Sequence, residues 1–117
     1  MNRDCDMIRG ILIEIEDAIE PKEYKFRRSP QNAEIYKFYY HVKILFDNKY
    51  LSGIDASDLS NWCILNVELT WNGHELLNKI RSNTIWEKIK EAAISKGIDL
   101  TFDAICNIYP VILNNIF

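Results

Sequence analysis

The chain has 117 residues, with 14 Lys and Arg against 17 Asp and Glu for a net charge of −3, and it is 48% hydrophobic and 12% aromatic. That length suits one domain, and the aromatic content excludes a disordered tail. Three cysteines are too few for a disulfide scaffold, and no apolar run approaches the roughly 18 residues that span a bilayer. The opening MNRDCDMIRG mixes acids and bases where a secretory signal has a basic and then an apolar stretch. A cytoplasmic domain with a real core is the expectation.

Residues 4–19 carry Ile8, Ile11, Leu12, Ile15 and Ile19 on one stripe of an amphipathic helix. Asp4 and Asp6 suit its positive end, with Asp4 as a cap, and Pro21 closes it. The segment KEYKFRRSP (22–30) reads as an edge strand or an extended connector. Ser29-Pro30 marks entry to a second helical region, with Pro allowed in a first turn. There Ile35, Phe38, Tyr39, Val42, Leu45 and Phe46 form the inner face of a helix over 36–50. Its outer face shows Lys37, Tyr40, His41, Ile44, Asp47 and Asn48.

A period of two follows. Cys63, Leu65, Val67, Leu69 and Trp71 make an apolar strand face, opposite Trp62, Ile64, Asn66, Glu68 and Thr70. Residues 51–54 supply the antiparallel partner, and DASDLSN (55–61) the loop of the hairpin. Thr70 is a candidate N-cap for a helix through His74, Leu77 and Ile80 or Arg81. Thr84-Ile-Trp-Glu87 matches a capping box, Ile85, Ile89, Ala92 and Ala93 form a buried face, and Gly97 is a C-terminal stop. Thr101 opens a last helix with Phe102, Ile105, Ile108, Ile112 and Ile116 on one side, which Pro110 should kink or shorten.

Chemistry-bearing constellations are sparse. Cys5, Cys63 and Cys106 are widely spaced, with no CxxC pair or Cys/His cluster, so they read as reduced packing thiols. His74-Glu75 with Cys63 is the nearest approach to a nucleophile and base, but Cys63 falls on the apolar strand face. His41 and His74 lack metal-ligand spacing, and the four glycines form no phosphate loop. No metal and no cofactor is expected. Trp71 and Trp86 suit core packing, whereas Trp62, on the polar strand phase, is a partly exposed interface anchor.

Charge is uneven along the chain. Residues 1–20 hold two bases and six acids, residues 21–50 seven bases and three acids, and residues 51–117 five bases and eight acids. The middle third either faces an anionic partner or belongs to a mixed, solvated surface.

The stretches NRDCDMIRGILIEIE (2–16), YYHVKILFDNKYLSGID (39–55) and LTWNGHELLNKIRSNTIWEKIK (69–90) together resemble a family of small uncharacterised proteins of phages, prophages and other mobile elements, similar to YjcQ-type phage proteins. LTWNGHELL followed by TIWEKIK is the most specific part. The resemblance implies a winged-helix-like fold and no catalytic residues. Where many relatives have Gly in the turn before the hairpin, this chain has Asp47-Asn48-Lys49-Tyr50-Leu51. Asn48 or Lys49 then takes any left-handed position, which Asn tolerates better.

The expected fold is α+β, a single winged-helix-like domain over 1–117 with a C-terminal helical extension (83–117) packed on it. The expected function is non-enzymatic binding, to DNA in a regulatory role or alternatively to a host protein as an accessory factor or inhibitor. The residues expected to carry it are Arg27, Arg28, Lys37, Tyr40, His41, Lys43, Ile44, Asn48 and Trp62. Lysines and arginines would meet phosphates, and Tyr40, His41 and Asn48 would meet base edges. The acidic loop 55–61, the outer Tyr40 and Ile44, and the net negative charge favour a protein target. Residues 105–117 are apolar enough to serve as core or as a homodimer seam.

Overall fold

The structure, a computed structural model, describes residues 3–29 and 32–116. Among them the order is α1 (Cys5–Asp17), β1 (Lys22–Arg27), α2 (Ala33–Asp47), β2 (Leu51–Asp55), β3 (Asn61–Leu69), α3 (Trp71–Ile80), α4 (Asn83–Lys96) and α5 (Phe102–Ile116). This is an α+β chain with one antiparallel sheet in the order β1-β3-β2. Its contacts divide it into two compact units, Met1–His74 and Glu75–Phe117.

In the first unit, Asp4 caps α1 by accepting from Met7 N–H at 3.1 Å, and Ile8, Ile11, Leu12 and Ile15 are buried. The helix stops at Asp17, earlier than the stripe predicts. Ala18 is already extended, and Ile19 is fully exposed. The chain needs those residues to turn into β1, and the residue before Pro21 is pushed away from helical geometry.

The strand at 22–27 lies at one edge of the sheet. Its partner β3 does not keep a single period of two. Asn66 has a φ of 53°, and the register slips by one residue opposite both β1 and β2, which marks a bulge in β3. The bulge swaps which β3 residues lie on the helix-covered face of the sheet. Before it, Trp62 and Ile64 share a face with Tyr24 and Phe26; after it, buried Val67 takes over. The apolar face predicted from Cys63 through Trp71 is therefore split. Trp71, predicted to pack in the core, is 76% exposed, because β3 ends at Leu69 and Trp71 opens α3.

Asn32 caps α2, its Oδ1 accepting from Glu34 and Ile35 N–H, and the helix opens at Ala33, three residues before the predicted start at 36. Pro30, the predicted entry, lies outside the described residues. Val42 and Leu45 are buried, whereas Ile35 is largely exposed. At the other end Asn48 Nδ2 donates to Ile44 C=O at 2.8 Å. The left-handed position falls to Lys49, with a φ of 66°, since Asn48 is committed to capping.

Thr70 closes this turn. Its Oγ1 donates to Lys49 C=O at 2.7 Å and accepts from Gly73 N–H at 3.0 Å, as the predicted N-cap of α3. Gly73 sits so close to the turn that a Cβ there would lie 2.2 Å from Tyr50 O. The LTWNG stretch is thus a packing motif: a hydroxyl ties strand end to turn, and a missing side chain lets the backbones meet.

In the second unit α4 and α5 pack together, with Trp86, Ile89, Ala93, Ile105 and Ile108 buried. The cap of α4 is Ser82, whose Oγ accepts from Ile85 N–H at 3.4 Å, so Thr84 of the predicted capping box lies inside the helix. Gly97 ends α4 in the left-handed region at a φ of 65°. Thr101 Oγ1 accepts from Ala104 N–H at 3.0 Å, and α5 runs on through Pro110. Phe117 and the side chain of Ile116, both assigned to an apolar seam, lie outside the described residues.

Candidate functional site

Helix α2 lies against the sheet through rings. Phe26 stacks on Tyr39 with centroids 4.0 Å apart, and Phe26 and the Trp62 indole meet in a T-shaped contact at 4.9 Å. Tyr24 adds a tilted contact to Phe38. Trp62 is half-buried, as its partial exposure required, with two cations over its ring, Arg28 at 5.7 Å and Lys43 at 5.8 Å. Of the residues predicted to form a site, Arg28, Lys43 and Trp62 are therefore brought together.

Arg28 is further fixed by donating Nε–H to Asp58 C=O at 2.7 Å. The hairpin loop beyond it is built on two carboxylates. Asp55 accepts from Ser57 N–H, and Asp58 from Ser60 and Asn61 N–H. Bonds from Ser57, hydroxyl first and backbone second, hold Asp55 below the ordinary carboxylate range, and the Asn61 and Ser60 amides do the same for Asp58. The loop tip is therefore firmly anionic, and it carries Leu59 fully exposed.

The outer row of α2 is Tyr36, Tyr40 and Ile44, all half-buried. Tyr36 stacks on Tyr40 at 6.2 Å. Tyr36 was missed by the sequence reading, although its four-residue spacing from Tyr40 is visible there. The lysines beside the row are neutralised: Lys37 Nζ lies 3.0 Å from Asp4 Oδ2, and Lys43 Nζ 2.5 Å from Asp47 Oδ2.

Two predicted site residues are structural. His41 was assigned to the outer face, but it is fully buried. Its Nε2 accepts from Asp4 N–H at 2.7 Å, and its Nδ1 lies 2.7 Å from Lys37 C=O. It faces α1, since the stripe at 37, 41 and 45 turns toward that helix instead of outward. Asn48 spends its amide on capping α2. Arg27 stays exposed on the sheet face opposite α2, across from Asn61.

Folding pairs part of the uneven charge along the chain. Lys22 pairs with Glu14 at 3.0 Å and Lys37 with Asp4, so acids of the first twenty residues meet bases of the next segment. His74 is exposed, its Nδ1 3.7 Å from Glu16 Oε2, and Cys63 is buried. Among the described residues no His, Cys, Asp and Glu cluster has the makings of a metal site, and no helix is long and apolar enough to cross a membrane.

A model of hypothetical proteins, DUF2513, matches residues 2–99. An uncharacterized protein of Haemophilus influenzae strain Rd is 34% identical over 114 residues, covering 97% of each chain. No solved structure matches. With a family model spanning most of its length, the chain belongs to the DUF2513 family of hypothetical proteins.

Proposed function

We propose that this is a non-enzymatic protein-binding module, an accessory factor or inhibitor, whose contact surface is the outer row of α2 together with Trp62 and Arg28. The observation that carries this reading is the pairing of Lys37 with Asp4 and of Lys43 with Asp47. It leaves a half-exposed aromatic and aliphatic row between neutralised charges, a composition suited to a protein partner. The anionic hairpin tip, with Leu59 exposed on it, would repel a phosphate backbone and adds apolar contact area.

A second reading, nucleic-acid binding by a winged-helix-like protein of phage or mobile-element origin, draws on the order α1-β1-α2-hairpin, which puts α2 where such folds carry a recognition helix. Against it stand the burial of His41, the capping role of Asn48 and the single helix between β1 and β2 among the described residues. Titration of a mixed-sequence DNA duplex across a salt series separates the two. The protein-binding reading expects no salt-sensitive shift, whereas a steep fall of affinity with salt, flattened by Lys37→Ala and Lys43→Ala, would favour the nucleic-acid reading.

A further inference from the structure

The outer edge of β1, the terminal strand in the order β1-β3-β2, is unpaired among the described residues. The phase of its backbone follows from one bond. Arg28 N–H donates to Ser60 C=O at 3.0 Å, so in an antiparallel ladder Phe26 and Tyr24 also bond inward to β3. The N–H and C=O groups of Lys25 and Arg27 then point outward. An exposed edge of this kind is a template for strand addition.

The side chains around the edge differ on its two faces. A groove of about 510 Å³ opens at this end of the strand, with Phe26, Ile35 and Tyr39 on its α2 side and Asn32, Asn61 and the β1 residues Lys25 and Arg27 completing its lining. Ile35 is 48% exposed there, which is costly for an isoleucine without a partner. On the opposite face Lys25 and Arg27 stand exposed across from Cys63 and Asn61. Unlike Lys22, Lys37 and Lys43, they make no ion pair among the described residues, although the Lys25 charge reaches the Asp58 carboxylate of the hairpin loop.

We infer that β1 accepts an extended, acidic segment of a partner protein as a fourth strand. Its side chains alternate, with apolar residues entering the groove beside Ile35 and Tyr39 and Asp or Glu opposite Lys25 and Arg27. Cross-strand pairs of opposite charge favour such a register, and like charges oppose it. A second copy of the chain fits less well: antiparallel pairing about Lys25 would match Glu23 with Arg27 but set Lys25 against Lys25. This inference rests on the reading of the chain as a protein-binding module and names the chemistry of one partner segment.

The test is selection from a random peptide display library on the immobilised full-length protein, followed by amide chemical-shift mapping with the enriched peptides. The expected result is enrichment of sequences alternating apolar and acidic residues, with shifts at the Lys25 and Arg27 amides. Exchanging both bases (Lys25→Glu with Arg27→Glu) should cut affinity for those peptides at least tenfold, and Lys25→Ala, a milder change at an exposed site, should cut it less. Enriched peptides without acidic bias, or shifts confined to Tyr36, Tyr40 and Ile44, would overturn the inference while leaving the protein-binding reading intact. No enrichment at all would also overturn it. So would a solution mass showing a dimer whose β1 amides are protected by self-pairing.

Discussion

The backbone N–H of Asp4 donates to Nε2 of His41, 37 residues along the chain, at 2.7 Å. Because Nε2 accepts, the ring proton sits on Nδ1, where Lys37 C=O lies 2.7 Å away to accept it. The Lys37 ammonium then returns to the Asp4 carboxylate at 3.0 Å. The start of α1 is thereby locked to the middle of α2 by a closed ring of three residues. His41→Ala should cost about 2–4 kcal/mol, combining a cavity with a buried N–H left without an acceptor. Urea unfolding checks this, and a loss below about 0.5 kcal/mol would show that the ring is not stabilising, given the usual value of a buried hydrogen bond.

Asp4 also gives the protein an acid limb. Its carboxyl is held below the ordinary value of 3.8, first by the hydrogen bond from Lys37 and then by the Met7 amide. A carboxylate depressed in the folded state adds stability above its unfolded pKa, and that stability is lost as pH falls through the lower folded value. Asp4→Asn should therefore be less stable than wild type at neutral pH, and the gap should close as the pH drops from about 5 to below 3. Thermal unfolding across that range measures it; a gap independent of pH would remove the ion pair from the account.

Gly73 is held against the Lys49–Tyr50 turn, where a methyl group would meet Tyr50 O at 2.2 Å. Gly73→Ala should destabilise the protein by about 2 kcal/mol or more, since neither backbone can yield without breaking the Thr70 bonds. Gly10, inside α1 with open space around its Cβ direction, is the control: Gly10→Ala should stabilise by about 0.5–1 kcal/mol through helix propensity. Equal effects at the two sites would contradict the packing argument.

The Tyr24 hydroxyl is buried without a hydrogen-bond partner among the described residues, and burial pushes its pKa up. An unsatisfied buried hydroxyl costs stability, so Tyr24→Phe should raise it by about 1 kcal/mol while keeping the Phe38 contact. A clear loss in a denaturant midpoint would mean that the hydroxyl is satisfied in solution.

Local signals were legible in the chain where local physics decides. The α1 stripe, the Thr70 cap and the Gly97 stop follow from periodicity, capping chemistry and the left-handed freedom of glycine, whereas KEYKFRRSP left an edge strand and an extended connector both open. The bulge at Asn66 was not legible, because one inserted residue leaves the alternation nearly unchanged on paper while it reverses both faces of β3 in space. Trp71 left the predicted core for a separate reason, since β3 ends at Leu69 and Trp71 already belongs to α3. His41 was misplaced for a related reason: a helical wheel separates inner from outer faces, but only the fold shows that α1 covers the side at 37 and 41. Charge partners were equally hidden, since Lys22 and Lys37 find Glu14 and Asp4 only after α1 folds back.

Under the proposed function, the outer row of α2 recognises a protein. The most direct measurement is nuclease-treated co-purification from the native host, comparing the wild-type chain with a Tyr40→Ala, Ile44→Ala variant of unchanged stability. A defined protein should be retained by the wild type after nuclease treatment and through high salt, and lost from the variant. Retention of nucleic acid alone, abolished by nuclease or salt and indifferent to Tyr40 and Ile44, would contradict it.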